Sequence, residues 1–403
     1  MSMKEAARLT ARRLYKEWTL HHLYPKKYRS LAACAVKPRK AVFLEVRMDH
    51  LTDSFREVYD ALKKKGGWEL VVCCLQESMT GRDRVRENCL AALPEVADAG
   101  VIFVNDSSFF LSCLPLRPET TVIQLWHACG AFKKFGYSVA DKAFSDSRLE
   151  LERLPVHRNF TWVTVSSPEV IWAYAEAFHM EKQKERIIAA GIARTDRFYD
   201  PERIREAKEH LNRFLAAGRK TSEAVPRIVL YAPTFRGHVG EAVSPDTLNL
   251  RQFAAAAGKD TVLLCKHHPF VKHRPAIPVE CKETVFDVTD EFEIDELLMV
   301  SDLCITDYSS LIFEYSLFER PMIFLADDRK NYDRWRGFYY TYEELTPGPV
   351  AGSTEEVIRL LKDTDSWFDR SLVHSFRERF MSSCDGHATE RILRLIGEKP
   401  GDL

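Results

Sequence analysis

The sequence predicts an α/β protein built from two doubly wound parallel-sheet domains facing a central cleft. Three observations predict it. At 403 residues the chain is too long for one ordinary core and suits two domains of roughly 150 to 200 residues. A hydrophobic content of 45% with 29% charged residues is that of a globular protein. Short runs that are apolar on both faces alternate with helical stretches, and the pattern occurs twice, as expected of parallel strands covered on two sides.

The elements follow in order. Residues 1–40 form a basic amphipathic segment with eleven Lys or Arg against Glu5 and Glu17. Ala7, Ala11, Leu14 and Trp18 share one face at helical spacing, with Arg12 and Lys16 turned away. Such a helix lies on an anionic membrane surface or packs its stripe on the protein's own core; the first reading is preferred.

Residues 41–200 read as an N-terminal acceptor-side domain, with strands at 41–46, 70–75, 101–104, 122–125, 163–165 and 187–190 and helices at 54–65 and 169–178. Residues 201–227, a charged helix and a polar stretch, read as a linker. The pattern restarts in residues 228–370, a C-terminal donor-binding domain with strands at 228–231, 262–265, 303–305 and 322–325 and helices at 248–257, 295–300, 309–318 and 354–362. Residues 371–403 read as a helical tail. Ligands of such domains sit at the carboxyl ends of the strands.

Several classes are disfavoured. No run approaches the length of a membrane span, and no secretory signal is visible. Ten cysteines include no Cys-x-x-Cys pair, so a reducing cytoplasm is expected. Neither a P-loop nor a Gly-x-Gly-x-x-Gly after a strand occurs, and nucleic-acid signatures are missing. No metal-ligand cluster is seen, although Mg2+ could travel on a diphosphate with few protein ligands.

Four strand ends carry candidate chemistry. Thr306-Asp307-Tyr308-Ser309-Ser310 runs from a buried strand into a helix, where unpaired N–H groups and the hydroxyls of Thr306, Ser309 and Ser310 suit a diphosphate. Capping by Ser309 and turn formation by Asp307 are the plain alternatives. Lys266-His267-His268-Pro269 puts a cation and two imidazoles at another strand end. Alternation lets one of the two histidines face the ligand. Thr234-Phe235-Arg236-Gly237 offers a hydroxyl and a guanidinium fork. In the first domain, His127 is placed to take a proton from an acceptor hydroxyl, and Lys133 and Lys134 would attract an anionic acceptor.

Together these segments resemble the CDP-glycerol glycerophosphotransferase family, which includes teichoic acid primases and polymerases. The matching stretches are Gln124-Leu125-Trp126-His127, Phe132-Lys133-Lys134-Phe135-Gly136, Gly191-Ile192-Ala193-Arg194-Thr195-Asp196, Tyr231-Ala232-Pro233-Thr234-Phe235-Arg236, His268-Pro269 and Ile305-Thr306-Asp307-Tyr308-Ser309-Ser310 with Arg320-Pro321. The resemblance implies a GT-B fold and transfer of a glycerol phosphate, or another polyol phosphate, from a CDP-linked donor to the hydroxyl of a lipid-linked or polymer acceptor, with CMP released. It makes His127 and His268 the catalytic pair, and Thr306, Ser309 and Ser310 the donor cluster. It also implies peripheral attachment to the inner face of the cell membrane. Ala128 departs from the glycine that many members carry after the Trp-His pair. Glycosyl transfer from a sugar nucleotide is one alternative, and a non-catalytic module binding anionic polymer or membrane is the other.

Overall fold

The computed structural model describes residues 3–142, 145, 147–218, 226–237 and 241–400. The chain divides into two compact units: Met1–Ala128, Phe135–Asp196 and Ser383–Leu403 form the first, Cys129–Lys134 and Arg197–Ser382 the second. The division thus falls at 196/197 and not within 201–227. The charged helix Pro201–Gly218 belongs to the second unit because Ala207, Leu211 and Leu215 are buried along one side of it. The polar residues 219–225 lie outside the described residues.

The first unit holds β1 (Lys37–Glu45), β2 (Glu69–Cys74), β3 (Ala99–Val104), β4 (Thr121–Gln124), β5 (Trp162–Thr164) and β6 (Ile187–Ile188). They form one sheet in the order β2-β1-β3-β4-β5-β6, with every pairing parallel. Residues Ala41 to Leu44 are wholly buried, as the doubly apolar run requires. The helix Asp53–Lys65 lays Phe55, Val58 and Leu62 onto this sheet. Each such fully buried side chain is worth about 1.5–3 kcal/mol.

The second unit holds β7 (Arg227–Tyr231), β8 (Thr261–Cys265), β9 (Val285–Asp287), β10 (Leu303–Thr306), β11 (Met322–Leu325) and β12 (Val350–Ala351). Their order is β12-β11-β10-β7-β8-β9, again all parallel. The first strand of the unit is therefore central, and the winding reverses between β7 and β10. Ligands of doubly wound sheets bind at such a reversal. In the first unit the reversal lies between β1 and β3.

The chain returns to the first unit at its end. Gly191, at φ +88°, lies where an added Cβ would stand 2.1 Å from the Ser383 carbonyl oxygen, so only glycine admits this close approach. Asp196 then caps the helix Ala388–Arg394, its Oδ1 accepting from the Ala388 N–H at 3.0 Å and its Oδ2 from that of Thr389 at 2.7 Å. The Gly191-to-Asp196 motif thus has a structural task inside the first unit.

Candidate active site

In the first unit three strand ends converge. Arg47 follows β1, Asp106 follows β3, and His127 follows β4. Trp126 adopts φ +57°, a left-handed conformation rare for a bulky side chain and typical of strained functional turns. Gln124 holds the turn: its Oε1 accepts from the Trp126 N–H at 2.9 Å, while its Nε2 donates to the Asp106 carbonyl at 3.1 Å. Phe135 stacks on the Trp126 indole at 4.9 Å, and the His127 ring lies 4.4 Å from it.

The His127 Nδ1 stands 3.1 Å from the Asn105 carbonyl oxygen. A carbonyl can only accept, so Nδ1 carries the proton and Nε2 keeps its lone pair. The Asp106 Oδ2 stands 3.7 Å from the same Nδ1. Burial pushes the Asp106 carboxyl up, but His127, Arg47 and the Ser107 backbone N–H outweigh it and hold the group below its ordinary range. Arg47 donates from Nε to Asp106 Oδ2 at 2.9 Å. With its side chain 46% exposed, His127 is an oriented, accessible base.

In the second unit the ends of β7, β8, β10 and β11 converge. His268 and His267 separate as strand alternation demands. His267 is buried and bonded to the Ser244 hydroxyl at 2.8 Å. The His268 ring packs between Phe235 and Phe270, with centroids at 4.7 and 4.6 Å. Its Nδ1 accepts from the Phe270 N–H at 3.2 Å, so in the neutral ring Nε2 is a donor. Burial pushes the His268 pKa down to about 4, with Lys133 adding to the shift, and the ring is neutral at physiological pH.

The Thr-Asp-Tyr-Ser-Ser stretch divides its labour. Thr306 is fully buried and donates its hydroxyl proton to the Ala232 carbonyl at 2.7 Å. Asp307 accepts from the Thr234 N–H at 2.8 Å and the Tyr308 N–H at 2.7 Å, and its Oδ2 lies 2.9 Å from Arg236 Nη2. The Ser309 Oγ accepts from the Leu311 N–H at 3.4 Å. Ser310 precedes the helix Leu311–Ser316 without capping it through its side chain. That helix has only six residues, so hydroxyls and backbone N–H groups weigh more here than a long helix dipole. Among the described residues the buried Thr234 hydroxyl has no hydrogen-bond partner, which marks it as a group awaiting one.

Arg236 does not hold its fork open. It donates to both Asp328 oxygens at 2.7 and 3.1 Å, to the Thr234 carbonyl at 2.6 Å, and pairs with Asp307. Its guanidinium lies over Tyr308 and Tyr332, 5.2 and 5.1 Å from their centroids. Arg236, Asp307 and Thr306 therefore hold the strand-end loops in place, and Ser309, Ser310, Thr234 and His268 are left to meet a ligand.

Lys133 lies in the second unit. Residues 132–134 pair antiparallel with 337–339, through the Lys133–Phe338 bridge and bonds from the Lys134 N–H to Gly337 and the Tyr339 N–H to Phe132. Gly130 permits the loop: it has φ +59°, and a Cβ there would meet the Phe313 ring at 2.4 Å. Burial and the cation of Arg336 push the Lys133 pKa down to about 8, against the pull of Asp307. Lys134 shares the loop's backbone pairing. Asn105, Asp106, Asp328 and Tyr332 were missed by sequence reasoning. Their signal was the polar stretch directly after a buried strand, Asn105-Asp106-Ser107-Ser108 and Asp327-Asp328. Among the described residues no cluster of His, Cys, Asp and Glu has the arrangement of a metal site.

The family model for CDP-glycerol:poly(glycerophosphate) glycerophosphotransferases matches residues 27–398. The chain belongs to this family. It is an enzyme, a phosphotransferase of the CDP-polyol class that serves teichoic acid synthesis. Among its relatives is a teichoic acid ribitol-phosphate primase of Bacillus spizizenii, 36% identical over 92% of this chain and 94% of the relative. A teichoic acid poly(ribitol-phosphate) polymerase of the same organism is 33% identical over 90% of this chain and 56% of its own length. The solved wall teichoic acid polymerase TagF shares the α/β fold, with a TM-score of 0.73 at 22% identity over 98% of this chain and 96% of that one.

Proposed function

We propose that this family member moves ribitol phosphate from CDP-ribitol to a hydroxyl of a lipid-linked or polymer acceptor and releases CMP. The observation that carries the chemistry is the opposed polarity of two histidines: His127 presents a bare Nε2, and His268 presents an Nε2–H. The choice of ribitol over glycerol rests on the two ribitol-phosphate relatives.

In this mechanism His127 Nε2 takes the proton of the acceptor hydroxyl. The oxygen forms a bond to the β-phosphorus of the donor as the bond from that phosphorus to the bridging oxygen breaks. The bridging oxygen and its electron pair leave with CMP. The His268 Nε2–H, the Lys133 ammonium and the hydroxyls of Thr234, Ser309 and Ser310 balance the charge on the diphosphate. Positioning and fixed dipoles supply most of the acceleration in such phosphoryl transfers. The Asn105 carbonyl holds His127 in its tautomer with Asp106 and Arg47 beside it, and Asp307, Asp328 and Arg236 hold the donor loops.

The proposed location is the inner membrane surface, reached peripherally. Supporting it, Leu14 and Trp18 are 60% and 50% exposed instead of packing on the core, and Ala11 is exposed beside them. The side chains of Ala7 and Leu9 lie outside the described residues. No helix among the described residues is long and apolar enough to cross a membrane.

The test is incubation with CDP-ribitol, CDP-glycerol and UDP-sugar donors and a lipid-linked acceptor, reading the nucleotide released. CMP from CDP-ribitol is expected. CMP from CDP-glycerol alone would replace ribitol by glycerol, and a nucleoside diphosphate would overturn the reaction class.

A further inference from the structure

The first unit contains a second concavity, on elements the mechanism does not use. It has a volume of about 500 Å³ and is lined by Leu20, His21, Arg29, Glu152, Arg153 and Arg158, among others. Its charges are unevenly matched. Arg153 donates to Glu17 at 2.5 Å and Glu152 pairs with Arg148 at 3.4 Å. Arg29 and Arg158 form no ion pair with an acid among the described residues, and both are exposed. The cavity therefore carries two uncompensated guanidiniums beside an apolar wall, a lining that suits a phosphate attached to something apolar.

The surroundings name the kind of ligand. The basic helix Met3–Trp18 passes through a π-helical turn, Thr19–Leu23, into the helix Tyr24–Leu31. The extra residue of a π-turn re-aims the faces on either side of it. Here the exposed stripe of Leu14 and Trp18 leads into the turn that supplies Leu20 and His21 to the cavity. Arg13 reaches Glu150 at 3.7 Å, which ties this helix to the one bearing Leu149, itself 75% exposed. Large apolar side chains and unpaired arginines thus share one neighbourhood.

We propose that the cavity holds the phosphate of an anionic phospholipid headgroup, gripped by Arg29 and Arg158, while Leu14, Trp18 and Leu149 enter the acyl boundary. The proposal rests on the peripheral-membrane part of the preceding reading, and it adds to that reading a headgroup site.

The test is flotation of the full chain with vesicles of phosphatidylcholine alone, with phosphatidylglycerol, or with oleate at matched surface charge. It compares the wild type with Arg29→Ser/Arg158→Ser and with the control pair Lys26→Ser/Lys27→Ser. All four positions are exposed, and circular dichroism verifies folding. Loss of two charges weakens binding about 25-fold for either pair. On phosphatidylglycerol the arginine pair should lose about tenfold more, because charge-assisted hydrogen bonds go with it, whereas on oleate the two pairs should lose equally. Equal losses on phosphatidylglycerol would overturn the headgroup site and leave diffuse adsorption standing. Inorganic phosphate in excess should remove only the arginine-specific part, and its failure to do so would overturn a phosphate as the group gripped. Failure of the wild type to float with any vesicle would overturn the membrane reading itself.

Discussion

The two histidines of this enzyme each follow a strand of a parallel sheet, on different sides of the reversal in their sheets, and are wired in opposite senses. His127 follows β4 of the first unit, and its Nδ1 meets a carbonyl that can only accept. His268 follows β8 of the second, and its Nδ1 meets a backbone N–H that can only donate. The neighbours of one ring nitrogen thus decide what the other can do: the first ring is left able to take a proton and the second to donate a hydrogen bond. Their surroundings reinforce the division. The Asp106 carboxylate and Arg47 stand beside His127. Phe235, Phe270 and Lys133 surround His268 and keep its pKa near 4, so that ring stays neutral.

Glutamine substitution breaks the comparison most sharply, because an amide N–H can replace a donor but not a base. His127→Gln should lower kcat about 10²- to 10⁴-fold, the usual worth of a general base. His268→Ala should lower it about 10²- to 10³-fold, with His268→Gln recovering part of that loss. CMP release under donor saturation measures all three. Equal loss in both glutamine variants would mean that the rings are not wired differently.

Lys133 tests the donor side alone. Its ammonium is charged below a pKa of about 8 and neutral above it, so donor affinity should be full below that pH and fall as pH rises through it. The KM for the CDP-linked donor should therefore climb above pH 8. Lys133→Met should raise KM about 10- to 100-fold at neutral pH, the worth of a hydrogen bond to a charged group, and flatten the climb. An unchanged KM would return Lys133 to the acceptor side.

The smallest effect is expected at Asp106. Asp106→Asn keeps the shape while the Asn105 carbonyl still fixes the tautomer, and it removes the carboxylate charge 3.7 Å from the ring Nδ1. A loss of about tenfold in kcat, roughly 1.4 kcal/mol, is expected, with KM for the donor unmoved. A larger loss would make Asp106, and not Asn105, the principal orienting group.

The fold was legible wherever a strand was long enough to show an apolar run. Ten of the twelve described strands were read that way; Val285–Asp287 and Val350–Ala351 were not, because their apolar pairs are cut off by Asp287 and Gly352, whereas the equally short Ile187–Ile188 runs on into Ala189-Ala190. The positions of His127 and His268 after β4 and β8 were legible because a buried apolar run precedes each. What stayed hidden was who binds whom. A sequence shows that Arg236 could fork onto a phosphate, but not that Asp307 and Asp328 already occupy it. It shows two lysines after His127, but not that pairing with residues 337–339 carries Lys133 into the second unit. Partners far apart in sequence decide these roles, and no local pattern reports them.

The return of the chain to the first unit bears on the order in which the molecule can be completed during synthesis. The first sheet is translated before the second unit, yet residues that pack against it, Ile392 and Leu395 among them, follow that unit. Asp196 waits for Ala388 and Thr389, and the Trp162 indole N–H waits for the Glu398 carbonyl. The second unit's contiguous stretch Arg197–Ser382 leaves the ribosome in between. The unit begun first is therefore completed after the second, and His127 stays on an incomplete scaffold until the stretch Ser383–Leu403 has emerged.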